Sequence, residues 1–291
     1  MKKMFDQIEP MTPEEAAAVE AKLDAYDRAA VPPVSGAEAE EIVLKIEDGG
    51  RIVAGCAAYV DDWKCMDLSC LWVDGRYRNR GMGTQLFSEM LRAGKAIGCH
   101  LAAVGLYSFQ ASAFCEKRGM TVYDRKEDCP KGHAHEYLFI RLDGDEPIRP
   151  PKGEPYRIER GSDEDCAFLV ERFYAYSDSQ VPRRHEGLSF DRKITDGAGK
   201  LIAGVEACVT GWDVGYVLFQ WTEEPYRGQG LGSALLSNAE REIRENGGKQ
   251  VLVSAFDWQD AAFYQARGYV ITGKLPDCPK GHCLYSLSKD L

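Results

Sequence analysis

The chain has 291 residues, 44% of them apolar and 28% charged, with a formal net charge of −10. This composition supplies one or two hydrophobic cores beneath a solvated surface, which excludes global disorder, and the length favours two domains of ordinary size. No apolar run approaches the roughly 18–20 residues that span a bilayer, and the acidic balance extends over both halves, so neither a membrane nor a nucleic-acid partner is expected.

Residues 16–30 combine helix-compatible composition with an acidic start and stop before Val31-Pro32, which predicts a helix. Apolar runs at 51–59 and 68–73, each bounded by turn formers, predict strands. A glycine turn follows, Arg78-Asn79-Arg80-Gly81-Met82-Gly83, and behind it Leu86, Phe87, Met90 and Leu91 recur at helical spacing. A strand at 101–106, a short helix holding Phe114 and a closing strand at 136–142 complete the series. Four prolines between Asp143 and Tyr156 then exclude a continuous helix and predict an extended linker.

Beyond the linker the order recurs. A helix is expected at 163–176, strands at 201–210 and 215–221, then a second turn, Arg227-Gly228-Gln229-Gly230-Leu231-Gly232. Leu235, Leu236, Ala239 and Ile243 give the next helix, followed by a strand at 250–254, a short helix with Phe263 and a strand at 283–287. A constant offset of 149 carries Gly55 to Gly204, Trp72 to Trp221, Arg78 to Arg227 and Gly119 to Gly268, and Asp128-Cys129-Pro130-Lys131-Gly132-His133 recurs identically from Asp277 to His282. This is a duplicated domain, with a period too long for a solenoid. The expected domains are 1–142 and 156–291, joined by a linker at 143–155.

The ten cysteines lie largely in strand-like or helix-like runs rather than in a loop-rich framework, so they read as reduced thiols. The acidic opening residues contain no signal-like apolar core, which gives a cytoplasmic expectation. The repeated Cys-x-x-x-His spacing offers too few ligands for zinc, and a Pro-Lys-Gly loop accounts for it as turn chemistry, so no metal is expected.

Each glycine turn lies between a strand and a helix. Glycine there admits close approach to the backbone, and a helix start presents unpaired N–H groups at the positive end of its dipole, so the natural occupant is an anion. Arg76, Arg78 and Arg80 add positive charge in the first copy and Arg227 in the second. A tight turn without a ligand is the competing reading for any one glycine motif.

The segments Val73 to Thr84 and Glu224 to Ser233 resemble the acetyl-CoA signature of the GNAT superfamily of N-acetyltransferases, and Phe263-Tyr264-Gln265-Ala266-Arg267-Gly268-Tyr269 is similar to its Phe-Tyr-x-x-x-Gly-Phe/Tyr segment. The resemblance covers about residues 40–142 and 185–291. It implies two tandem GNAT folds of the mixed α/β class, each a splayed central sheet flanked by helices, with acetyl-CoA as acyl donor. It also implies that Val73, Arg78, Asn79, Arg80, Gly81, Met82, Gly83 and Thr84 hold one cofactor pyrophosphate. Thr222, Arg227, Gly228, Gln229, Gly230, Leu231, Gly232 and Ser233 hold the other, with the backbone N–H near Thr222 polarising the acetyl carbonyl.

By the same resemblance Tyr264 faces the cofactor sulfur as the acid for the departing thiolate, and a phenol with a reference pKa of about 10 is protonated at neutral pH. Cys115 stands at that position in the first copy, a weaker donor with shorter reach, so chemistry is expected mainly in the second copy. Glu223 and Glu206 are candidate general bases, set against the reading that each is only a solvated carboxylate. Tyr174, Tyr176 and Asp178 lie where the family builds the acceptor side, with ordinary helix packing as the alternative. The implied partner is a small-molecule primary amine, which the acidic charge tilts toward a cationic one. The chain is expected to act as a monomer with an internal pseudo-dimer or as a homodimer. A CoA-binding interaction protein without transfer activity, and two active domains with different acceptors, are the competing functions.

Overall fold

The computed structural model describes residues 8–144, 148 and 155–291. Most of the expected linker lies outside the described residues. Among them the chain forms two seven-stranded mixed sheets, each with helices on both faces.

The N-terminal sheet has the order β6-β7-β5-β4-β3-β2-β8. Its strands are β2 (Glu40–Asp48), β3 (Arg51–Val60), β4 (Cys65–Val73), β5 (Leu101–Tyr107), β6 (Thr121–Glu127), β7 (Ala134–Arg141) and β8 (Glu159–Arg160). The C-terminal sheet has the order β1-β9-β10-β11-β12-β14-β13. Here the strands are β1 (Glu9–Pro10), β9 (Leu188–Thr195), β10 (Leu201–Val209), β11 (Val214–Thr222), β12 (Gln250–Phe256), β13 (Val270–Pro276) and β14 (Cys283–Asp290). Every strand expected from the sequence is present. Six were not foreseen: β1 and β8, each two residues long, and β2, β6, β9 and β13, each carrying several charged or turn-prone residues.

The helix behind each turn packs as its periodicity requires. In α2 (Met82–Ala96), Leu86, Phe87, Met90 and Leu91 are buried against Ile42, Cys56 and Val104 of the sheet. In α5 (Leu231–Glu245), Leu235, Leu236, Ala239 and Ile243 are buried against Val205 and Val253. Short helices α3 (Ser112–Glu116) and α6 (Ala261–Gln265) carry Phe114 and Phe263.

The opposite faces do not follow the sequence repeats. Helix α1 (Pro13–Ala30), which opens the first repeat, packs on β10 and β11 of the C-terminal sheet, and β1 pairs with β9 there. Helix α4 (Asp163–Gln180), which opens the second repeat, packs on β2, β3 and β4 of the N-terminal sheet, where β8 pairs with β2. Among the described residues the compact units accordingly fall within Pro33–Pro182 with Leu275–Cys283, and within Met1–Pro32 with Arg183–Lys274 and Leu284–Leu291. Each repeat gives its leading strand and helix to the other repeat's sheet.

Both exchanged helices begin with a capping box, Thr12 with Glu15 and Ser162 with Asp165, which satisfies helix-start donors reciprocally. The same acidic side chains tie the helix to its sheet: Glu15 pairs with Lys193 at 2.5 Å, and Asp165 with Lys45 at 2.9 Å. Glycine sets the approach. A Cβ on Gly55 would lie 2.6 Å from a Leu169 methyl and 2.8 Å from the Leu44 carbonyl oxygen, and one on Gly204 would lie 2.8 Å from a Val19 methyl. The repeated glycine is thus the seat of the exchanged helix. Gly55→Val and Gly204→Val should each lower stability by about 1–3 kcal/mol, a typical overpacking cost, with the larger loss at Gly55 because a backbone carbonyl cannot yield. Urea midpoints check this, and unchanged midpoints would mean that the helices do not rest on these glycines.

Candidate active site

In the N-terminal sheet unit, β4 and β5 pair in parallel only over Cys65–Asp67 and Leu101–Ala103. Beyond that point β4 carries one extra residue, Ser69, between the partners of Ala57 and Ala58. The bulge turns β4 away from β5 and opens a gap. A cleft of about 420 Å³ fills it, running from Gly83 and Thr84 at the helix start past Leu106 to Cys115, with Phe173 and Tyr176 of α4 on its rim. That volume is within the size range of small-molecule sites. The C-terminal sheet unit repeats the strand divergence: β11 pairs with β12 only over Val214–Val217 and Gln250–Val253, and Leu218 is the extra residue.

Each strand divergence ends at a ready anion site. Asn79 and Gly81 have φ of 62° and 89°, and Gly228 and Gly230 have φ of 72° and 86°. Alternation of left-handed with ordinary backbone turns successive N–H groups to one side as a concave nest. The first helical hydrogen bonds are Gln85 N–H to Gly81 O and Ala234 N–H to Gly230 O, both 3.0 Å. The amides of Met82, Gly83 and Thr84, and of Leu231, Gly232 and Ser233, therefore precede the intrahelical ladder. The Asp74 and Glu223 N–H groups are spent on Val53 O and Ile202 O, each at 2.9 Å. Because N–H groups alternate in direction along a strand, those of Val73 and Thr222 face the gap.

Arg78 and Arg227 are pinned, each donating from Nε to a strand carbonyl, Val73 O and Thr222 O, at 3.0 Å. Arg80 lies over the Tyr77 ring, and Gln229 bonds back to Pro225 O. Sequence reasoning missed Arg118 and Arg267, although the 149-residue offset relates them. Arg118 donates to Phe114 O at 2.9 Å and to Thr84 Oγ1, and Arg267 donates to Phe263 O at 2.5 Å and to Ser233 Oγ at 3.0 Å. Each guanidinium also covers its phenylalanine ring. These arginines tie the short helix to the start of the long one, and so fix the width of the site.

The two units differ in the gap itself. Cys115 is buried, and burial pushes its thiol up to about 11. Tyr264 is partly buried, edge-on to Phe263 and Tyr269, and burial pushes its hydroxyl up to about 12. Both groups are protonated at neutral pH. Gln220, at the position of Leu71, extends over the helix start and donates to Gly232 O at 3.0 Å; its own Oε1 has no partner among the described residues.

The two candidate bases have opposite surroundings. Glu223 pairs with Lys22 of α1 at 2.5 Å, and that hydrogen bond holds its carboxyl below the usual range. Glu206, on β10 beside Asp191 of β9, is raised by burial and then by the neighbouring charges of Asp191 and Glu20. Tyr174, Tyr176 and Asp178 lie on α4, which belongs to the N-terminal sheet unit, so the expectation that they line the second repeat's acceptor side is corrected. The repeated Asp-Cys-Pro-Lys-Gly-His segments are tight turns, in which Asp128 and Asp277 accept from the Gly132 and Gly281 N–H groups at 3.0 and 3.1 Å. Among the described residues no group of three or more His, Cys, Asp or Glu side chains is arranged to hold a metal ion, and no helix is long and apolar enough to cross a membrane.

Two mixed sheets, each splayed beyond a bulge and opening on a helix-start nest, define a tandem pair of GNAT folds. The profile of the acetyltransferase (GNAT) family matches residues 4–120 and 154–269. Blasticidin-S acetyltransferase of Streptomyces morookaense is 36% identical over 94 residues, which is 32% of this chain and 68% of that protein. Among solved structures, an acetyltransferase from Bacillus cereus aligns at 26% identity with a TM-score of 0.44, covering 46% of this chain and 97% of that one. Ard1 from Thermoplasma volcanium aligns at 23% identity with a TM-score of 0.31, covering 35% and 68%. The chain belongs to the GNAT family and is an N-acetyltransferase with two GNAT units in tandem.

Proposed function

We propose that the chain transfers the acetyl group of acetyl-CoA to a primary amine of a small cationic molecule, with the chemistry in the C-terminal sheet unit. The observation that carries this reading is the duplicated divergence of two parallel strands, each pair ending beside helix-start amides that precede the intrahelical ladder. Gly83 lies among these amides. A Cβ there would meet Val73 and Phe114 at ordinary contact distances of 3.5 and 3.7 Å, so the protein's own packing does not demand a glycine, whereas a phosphate on the amides does.

Acetyl-CoA supplies the activated acyl group. The amides of Met82, Gly83 and Thr84 in one unit, and of Leu231, Gly232 and Ser233 in the other, bind the pyrophosphate, with Arg78, Arg80 and Arg227 adding charge. The Thr222 N–H, on the gap side, polarises the carbonyl, and Tyr264 donates the proton that the departing thiolate needs. Gln220, bonded to Gly232 O, is the side chain that must turn aside.

Glu206 is the better base of the two. Its raised carboxyl retains proton affinity, whereas Glu223 is neutralised by Lys22. A raised pKa means that the basic form accumulates at higher pH than for an unperturbed carboxyl, so the rate should rise with pH as Glu206 ionises. Glu206→Gln should lower kcat/KM about tenfold and flatten this acidic limb, while Glu223→Gln leaves the limb in place. An unchanged limb in Glu206→Gln would remove Glu206 from the mechanism.

The acidic setting of Glu206, the net charge of −10 and the likeness to blasticidin-S acetyltransferase support a cationic acceptor. Mass detection of acetylated products from an amine panel that includes blasticidin S tests the acceptor class. The ten cysteines are free thiols, nine of them buried, which supports a reducing, cytoplasmic setting. The Cys115-lined cleft favours a second reading for the N-terminal sheet unit, a CoA-binding module without chemistry. Calorimetric titration should then give two CoA sites per chain, with turnover insensitive to Cys115→Ser.

A further inference from the structure

Each pinned arginine has an aromatic neighbour from the other repeat. Arg78 Cζ lies 4.3 Å from the ring centre of Tyr176, a residue of α4. Arg227 Cζ lies 5.4 Å from the ring centre of Tyr26 in α1 and 4.8 Å from that of Trp221, on which Tyr26 packs edge-on. In both units the aromatic ring comes from the helix that opens the other repeat. We propose that Tyr176 and Tyr26 are positioning residues for the turn arginines, so that each phosphate-binding turn is completed by a helix of the other repeat. The proposal rests on the reading that these turns bind the pyrophosphate of CoA.

The helices are held in register for this task by a repeated device. Gln110 and Gln259, related by the 149-residue offset, occupy the loops after β5 and β12. Gln110 Nε2 donates to Ser177 Oγ at 2.9 Å, and Gln259 Nε2 donates to both carboxylate oxygens of Asp27 at 2.8 and 2.7 Å. Each docked residue immediately follows the tyrosine in question. Asp27 is buried and also accepts from Trp258 Nε1 at 2.8 Å. A glutamine from the sheet therefore fixes the helix at the position that aims the ring.

The physical role is pre-organisation. A free arginine samples many rotamers and loses that freedom when it pairs with phosphate. Here Nε is committed to a strand carbonyl and an aromatic face covers the guanidinium, which leaves the two terminal nitrogens to meet an anion. The ring face carries the effect, and the phenol hydroxyl does not.

The test is calorimetric titration of the full chain with CoA and, separately, with pantetheine, which lacks the pyrophosphate. Tyr176→Leu keeps an apolar side chain on the helix and removes the ring; it should weaken one CoA site about 3–10-fold and leave pantetheine binding unchanged. Tyr176→Phe should match the unaltered chain, and Tyr176→Leu should add no further loss in an Arg78→Leu background. Tyr26→Leu should act in the same way on the other site, to a smaller degree because Trp221 remains over Arg227. CoA binding unaffected by Tyr176→Leu, an equal loss toward pantetheine, or full additivity with Arg78→Leu would overturn the proposal alone. Failure of the unaltered chain to bind CoA would overturn the cofactor reading and the proposal together.

Discussion

Tyr264→Phe should lower kcat about 10²-fold while leaving KM for acetyl-CoA nearly unchanged, the pattern of a group needed in the transition state and not for binding. The ring survives the substitution, and with it the edge-on contacts to Phe263 and Tyr269 that seat α6, so stability should hold and the loss should be chemical. The hydroxyl is raised by burial to about 12. Its acid form therefore persists well above neutrality, and the alkaline limb attributable to it belongs near that value instead of the ordinary 10. The steady-state pH profile of both proteins checks this. A kcat equal to that of the unaltered chain would show that another group, or water, protonates the thiolate.

Gly83→Ala should separate ligand binding from folding. Replacing a helical glycine with alanine usually stabilises by about 0.5–1 kcal/mol, and the new methyl would meet its neighbours no closer than 3.5 Å. Yet the methyl sits at the second residue of α2, beside the amides assigned to the pyrophosphate, and should cost the N-terminal sheet unit about tenfold in CoA affinity, or roughly 1.4 kcal/mol. A raised melting temperature with weakened CoA binding is the expected pair of results. A raised melting temperature with undiminished binding would mean that the first turn holds no phosphate.

Much of this architecture is legible in the residues because local chemistry fixes it. The positive φ at Gly81 and Gly230 and the 3.6-residue spacing of Leu86 to Leu91 each leave a sequence mark. The exchange of α1 and α4 leaves none. The two helices share a length of 18 residues, a capping box and a single small buried stripe, Val19 or Leu169 above the repeated glycine, so either could seat on either sheet. Sequence order assigns Tyr176 to the second repeat, and only the three-dimensional packing brings it to Arg78. The candidate bases illustrate the same limit. Glu206 and Glu223 are both acidic residues at strand positions, and what distinguishes them is Lys22 on one side and Glu20 with Asp191 on the other, neighbours supplied by α1 and β9.

Gln220 likewise could not be read as a plug from its place in β11, since its hydrogen bond to Gly232 O depends on the distance across the gap. A crystal structure of the full chain grown with CoA should place a pyrophosphate on the amides of Leu231, Gly232 and Ser233, the Gln220 side chain turned away from Gly232, and the cofactor sulfur within hydrogen-bond reach of the Tyr264 hydroxyl. A C-terminal sheet gap still closed by Gln220, with CoA bound only beside Cys115, would contradict the assignment of the chemistry to Tyr264.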